Sequence, residues 1–230
     1  MQPRVRSKVR QYGRMVAGGN IRPVFDGISR WTWSHDRAVG MERDLTMPFE
    51  APTARVPIEV AKLDDSLAKR LFSDQGLDPS ATLDMESRRR FWQDGVPGAH
   101  VAIDDQGVPC FVQWAISGEH ADFVKSYFGD GFPELRPNEL LLEGAWARPE
   151  ARGKRIMAEA MDRITITGAS PGQRRAITFV GIENEASIRG CRSAGYEVYI
   201  ERQETWRFGN RHVTWFPPDT PGPTEGAGLR

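Results

Sequence analysis

The sequence predicts an α/β fold, a mixed and mostly antiparallel sheet built around one central parallel β-α-β unit. Three observations carry that expectation. An apolar run from Leu140 to Ala147 gives way through Pro149 to a helical pattern from Arg152 to about Gly168, and then to a second apolar run from Ala176 to Gly181. Strand, helix and strand in that order form a right-handed crossover with the two strands parallel. The runs His100 to Ile103 and Cys110 to Ile116 flank Asp-Asp-Gln-Gly, a hairpin signal, and a closing hairpin is expected where Thr205 to Phe208 meets His212 to Phe216 through Gly209-Asn210.

The elements follow in order. Residues 1 to 54 show few periodic runs and read as an N-terminal extension packed on a core, with Arg4, Arg6, Lys8, Arg10 and Arg14 ahead of the first acid, Asp26, and with Trp31 and Trp33 near Pro48 and Pro52. Regular structure is expected to begin at Val56, where Val-Pro-Ile-Glu-Val-Ala alternates as a strand. A helix from Leu63 to Phe72 follows, and a second from Leu83 to Gln93 is entered from the polar stretch Ser80 to Thr82. Residues 117 to 137 hold Phe123, Tyr127, Phe128 and Phe132 among glycines and prolines, an aromatic insertion of a length that often serves function. In the helix after Pro149, Ile156, Met157, Ala160, Met161 and Ile164 share one face and read as core. A short helix over 184 to 196 stops at Gly195. Residues 55 to 216 thus form one domain, and the tail from 217 to 230 lacks apolar material and is expected to be disordered.

Composition excludes several classes of function. Hydrophobic residues make up 39% and charged residues 27% of the 230, as in ordinary soluble domains. Lys plus Arg and Asp plus Glu are both 31, so the broad basic footprint of a nucleic-acid binder is absent. Two cysteines, Cys110 and Cys191, make no disulfide framework and fit a reducing cytoplasm. No run approaches the roughly 18 apolar residues of a membrane span. The four histidines, His35, His100, His120 and His212, lack metal-ligand spacing, so no metal is expected.

The chemistry concentrates after Leu140. Arg152-Gly-Lys-Arg lies between the apolar strand and the helix, where unpaired N–H groups and the positive end of the helix dipole would seat an anion. Glu143 stands on an otherwise apolar strand. Period two puts it on one face with Glu139, Leu141, Ala145 and Ala147, where a carboxylate is costly to bury without a purpose or a partner. It reads either as a base or as the partner of Arg88, Arg89 or Arg90.

Two segments, Pro149, Glu150, Arg152, Gly153, Lys154 and Ile156 in the first, and Asn184, Glu185, Ala186, Ser187, Ile188, Arg189 and Gly195 in the second, resemble the GCN5-related N-acetyltransferases (GNAT). The resemblance implies a GNAT-like fold that binds acetyl-coenzyme A, or another acyl-CoA, and moves the acyl group to a primary amine. By the same resemblance the cofactor-binding residues are Ala145, Trp146, Ala147, Arg152, Gly153, Lys154, Arg155, Ile156, Met157 and Asn184. Glu143 is the first candidate base and Glu139 the second. The family turn has glycine or alanine where this chain has Arg155 and Met157. The position of the family's proton-donating tyrosine falls on Cys191, which reads either as a thiol acid or as a small packing residue; Tyr196 and Tyr199 are alternative donors. Neutral charge leans toward a small-molecule amine as acceptor, with no nucleic acid and no membrane as partner. A homodimer through the extension, an acyl carrier protein as donor met by Arg4 to Arg14, and a catalytically inactive protein that binds coenzyme A or a protein partner are the other readings.

Overall fold

The computed structural model describes residues 33–73, 76–208 and 210–218. The basic cluster Arg4 to Arg14, Trp31, the side chain of Trp33 and the tail from residue 219 lie outside the described residues. Within them the strands are β1 (Trp33–Asp44), β2 (Ile58–Lys62), β3 (Ala99–Asp104), β4 (Pro109–Ser117), β5 (Glu139–Ala147), β6 (Arg175–Gly181), β7 (Glu197–Arg207) and β8 (Asn210–Phe216). The helices are α1 (Asp65–Leu71), α2 (Pro79–Gln93), α3 (Ala121–Phe128), α4 (Ile156–Gly168) and α5 (Glu185–Ser193).

The chain divides into two compact units. The larger, Ala38–Glu201, holds the sheet in the order β2-β3-β4-β5-β6-β1-β7. Its pairs β2–β3, β3–β4, β4–β5 and β1–β6 are antiparallel, whereas β5 and β6, joined through α4, are parallel. In the smaller unit the outer part of β7 and β8 are neighbours, and Glu204 accepts from Arg211 (2.7 Å) and from the Trp206 indole (2.8 Å).

One expectation is corrected here. Regular structure does not begin at Val56, because Ala38 to Asp44 of β1 pair with β6 in the middle of the sheet. The polar letters of Trp33–Asp44 hide a strand whose inward positions are Val39 and Met41, with Gly40 between them letting Phe179 and Ile200 close over the backbone. The aromatic insertion likewise contains a helix, α3, which presents Val124 and Phe128 to the core.

Helices cover both faces, so β4 is buried along nearly its whole length. On one face, Leu140, Leu142, Phe111 and Ala115 pack against Ile156, Ala160, Met161 and Ile164 of α4 and Cys191 of α5. On the other, Leu141, Trp114, Val101 and Ile177 pack against α1, α2 and α3. Phe91, Tyr127, Phe128, Phe132, Phe179 and Tyr199 continue that face as a chain of ring contacts 4.8–6.3 Å apart.

Polar groups on α4 meet the core with partners. Asp162 pairs with Arg43 of β1 at 2.5 Å, and Arg43 also donates to the Ala194 carbonyl and lies over the Phe49 ring. Glu159 accepts the Ala54 N–H and pairs with Arg163. Thr165 and the Tyr196 hydroxyl share a hydrogen bond of 2.8 Å. Asp162→Ala would leave the Arg43 guanidinium, 6% exposed, without its carboxylate. Loss of one partner of a buried pair costs about 3–5 kcal/mol, so urea denaturation of Asp162→Ala is expected to show a destabilisation of that size; a change under 1 kcal/mol would show that the pair contributes little.

Candidate active site

The site is built where β5 loses its regular alternation. From Glu143 opposite Trp114 the register passes to Trp146 opposite Val112, so Gly144 and Ala145 together face Gln113: a β-bulge. Gly144 takes φ +69°, and a Cβ there would lie 2.9 Å from Trp114 and 3.2 Å from Phe91. Glycine is required on both counts. The bulge also changes which residues share a face. Glu143 lies on the face of Leu141, toward α2 and α3, whereas Ala145 and Ala147 pack on the α4 face. This corrects the period-two expectation, which carried Glu143, Ala145 and Ala147 on one side. The parallel register of β5 with β6 runs from Glu139–Arg175 to Leu142–Thr178, so the bulge follows directly on its last pair.

Two residues beyond β5, Pro149–Ala151 form a short 3-10 turn, and the chain enters α4 at Ile156. Arg152, Gly153, Lys154 and Arg155 are exposed there, Ile156 is buried and Met157 half-buried. Helix α4 starts without a side-chain cap, unlike α1, α2 and α5, which Asp64, Asp78 and Asn184 cap. Its first N–H groups therefore have no side-chain acceptor and face the turn. Gly153 has φ +74°, with open space where a Cβ would point. Arg155 has φ 59°, ψ 14°, the left-handed conformation in which glycine is favoured. The chain thus keeps the backbone of a glycine turn with an arginine in it. Met157 packs its sulfur against Gly190 of α5, where a Cβ would come within 2.6 Å, so the longer side chain is matched by a glycine on the facing helix. Beside the turn a cleft of about 950 Å³ opens between Lys69 and Arg70 of α1, Arg148, Lys154 and the β3–β4 hairpin.

The other expected residues are distributed as follows. Trp146 is 4% exposed and its indole N–H has no hydrogen-bond partner. Asn184 uses its side-chain oxygen to accept the Ser187 N–H, a cap on α5. Cys191 is 1% exposed in the α4-side core, and burial pushes its thiol up to about 12. Of its two readings, thiol acid and small packing residue, this placement among packed side chains favours the second. Burial likewise raises the Tyr196 hydroxyl, hydrogen-bonded to Thr165, and pushes Tyr199 up to about 12 with the Arg175 guanidinium against its ring. Glu139, the second candidate base, is tied up at the far end of β5, where it pairs with Arg175 (2.5 Å) and accepts the Arg136 N–H (2.9 Å). Of the arginines expected near Glu143, Arg89 meets Glu86 and the Phe72 carbonyl, while Arg88 reaches the carbonyls of Gly144 and Ala145. The bulge and the Arg88 contact were missed by pattern reading. An isolated glycine inside an apolar run, Gly144, was the available signal.

Among solved structures, the glucosamine N-acetyltransferase region of a fungal multi-domain GH3 β-N-acetylglucosaminidase superposes with a TM-score of 0.54 over 85% of this chain, at 15% identity. The chain has the GCN5-related N-acetyltransferase fold. GNAT proteins from Colwellia psychrerythraea (TM-score 0.49, 12% identity, 76% of this chain) and Sphaerobacter thermophilus (0.49, 14%, 85%) are also similar. This chain covers 57% and 56% of those two and 23% of the fungal protein. No family model and no curated protein matches it. Among the described residues, no helix is long and apolar enough to cross a membrane and no cluster of His, Cys, Asp and Glu could hold a metal ion.

Arg155→Gly is expected to raise stability by about 1 kcal/mol, since an L-residue in the left-handed region carries roughly that strain. A melting temperature below that of the parent would show that the Arg155 side chain contributes contacts outweighing it.

Proposed function

We propose that this chain transfers an acyl group, acetyl in the first instance, from coenzyme A to the primary amine of a small molecule. The observation that carries the reading is the succession of the Gly144 bulge at the end of the parallel pairing and an uncapped helix start preceded by left-handed Gly153 and Arg155. The donor set fits coenzyme A chemically. Backbone N–H groups at the start of α4, with Lys154 and Arg155, would hold the pyrophosphate, and the open space beside Gly153 admits it. Ala145, Trp146 and Ala147 would run beside the pantetheine arm.

Glu143, half-buried next to the bulge on the α2 and α3 side, is the group to take the proton of the attacking amine. The amine nitrogen bonds to the acyl carbon as the carbon–sulfur bond breaks, and the departing thiolate takes a proton from water, since Cys191 and Tyr196 lie in the core. A small amine, cytoplasmic action and a homodimer through residues 1 to 54 belong to the same proposal. A protein that binds coenzyme A without turnover is the second reading, favoured by Cys191 at the place of the proton donor.

Incubation with acetyl-coenzyme A and a pool of primary amines, led by glucosamine because the fungal region is named for it, is expected to release free thiol. Binding without release favours the second reading, and absence of calorimetric binding at millimolar coenzyme A defeats both. Coenzyme A at 100 times its dissociation constant should stabilise the fold by about 2.7 kcal/mol. Glu143→Gln should keep coenzyme A affinity and lower turnover by roughly 10²- to 10⁴-fold; turnover within twofold of the parent would remove Glu143 from the reaction.

A further inference from the structure

Helix α2 sends two side chains, three residues apart, onto the β5 bulge. Phe91 packs with Trp114 over Gly144, the rings edge to face at 5.4 Å. Arg88 reaches the backbone: its Nε donates to the Gly144 carbonyl and its Nη2 to the Ala145 carbonyl, each at 3.4 Å, while its Nη1 donates to Asp84 O in the preceding turn of α2 at 3.3 Å. In a regular strand successive carbonyls point to opposite edges, so one guanidinium could not take both. The bulge turns them to one side, and the planar fork of arginine spans the two.

We infer that Arg88 is a positioning residue that orients the Ala145 N–H toward the acyl carbonyl of the donor, an assignment that rests on the acyl-transfer reading above. The Gly144 carbonyl and the Ala145 N–H belong to one planar trans peptide, so a carbonyl held toward Arg88 aims the N–H away from it. That peptide lies just past the last parallel pair of β5 with β6, Leu142–Thr178, with Glu143 between them, on the stretch beside which the proposed pantetheine arm would run. Hydrogen bonding at the carbonyl by a cation also polarises the peptide and strengthens its N–H as a donor. A fixed donor aimed at a developing oxyanion acts without reorganisation during the reaction. Arg88 touches neither the donor nor the acceptor; it works through the peptide.

The test compares affinities of the full chain for acetyl-coenzyme A and for coenzyme A by calorimetry, alongside melting temperatures, for the parent, Arg88→Ala and Arg88→Lys. The two ligands share every contact except those of the acetyl group. In Arg88→Ala the ratio of acetyl-coenzyme A to coenzyme A affinity is expected to fall about fivefold, the weight of one net hydrogen bond, with coenzyme A affinity within twofold of the parent. Arg88→Lys, a point charge able to reach one carbonyl, should fall between. If Arg88→Ala does not fold, the ratio for Arg88→Lys decides. An unchanged ratio in a folded variant overturns the inference while leaving the acyl-transfer reading in place, and so does an equal loss of affinity for both ligands. Binding of neither ligand by the parent chain overturns that reading and the inference with it.

Discussion

The Gly144 bulge depends on a backbone conformation that glycine alone holds without strain, with two aromatic rings packed where any side chain would stand. Most of the candidate site follows from that one extra residue. It moves Ala145 and Ala147 to the α4 face while Glu143 stays on the face of α2 and α3, and so puts a carboxylate and the residues that lead into the turn before α4 on opposite sides of one strand. In the proposed reaction such a separation would let a thioester lie along the strand while the amine arrives from the far side. A strand of unbroken alternation would keep the two on the same face.

The second constraint is the polar layer under α4. An amphipathic helix over a sheet usually buries only apolar side chains, yet α4 carries Glu159, Asp162 and Thr165 inward as well. Each is engaged, by the Ala54 N–H, Arg43 and Tyr196 respectively. These partners come from β1, from the segment before β2 and from the connection between α5 and β7, so the helix that follows the turn is fixed from three directions. Directional bonds of this kind set the rotation and depth of a helix more sharply than apolar contact, which tolerates sliding. The turn at Arg152 to Arg155 inherits its placement from them.

Much of the fold was legible because it rests on local patterns. The crossover from β5 through α4 to β6, the hairpin at Asp104 to Gly107 and the helix face of Ile156, Ala160, Met161 and Ile164 each follow from period and turn chemistry read over a dozen residues. What escaped depends on partners distant in sequence. Strand β1 has Asp36, Arg37, Glu42 and Arg43 among its letters, and its place in the sheet is decided by β6 and by the ion pair of Arg43 with Asp162. Met157 stands where the family turn has a small residue, and only the facing Gly190 shows how it is accommodated. Arg155 illustrates the reverse: residue type argued against a left-handed turn, and the backbone adopts one regardless.

The central position of β1 has a consequence for synthesis. The strand is made early, yet its partner β6 lies most of the chain away, Ala38 pairing with Gly181 and Asp44 with Arg175. At 5–20 residues per second, the ribosome takes roughly ten seconds to make the intervening stretch. Over that interval Val39 and Met41 have no sheet to enter, and both edges of β1 are open to strangers. The sheet therefore cannot close from its N-terminus as the chain emerges. Long-range pairing of this kind is intrinsically slow, and β2 to β5 can assemble locally first, so β1, an interior strand, gains its neighbours β6 and β7 only after β2 to β5 have all been made.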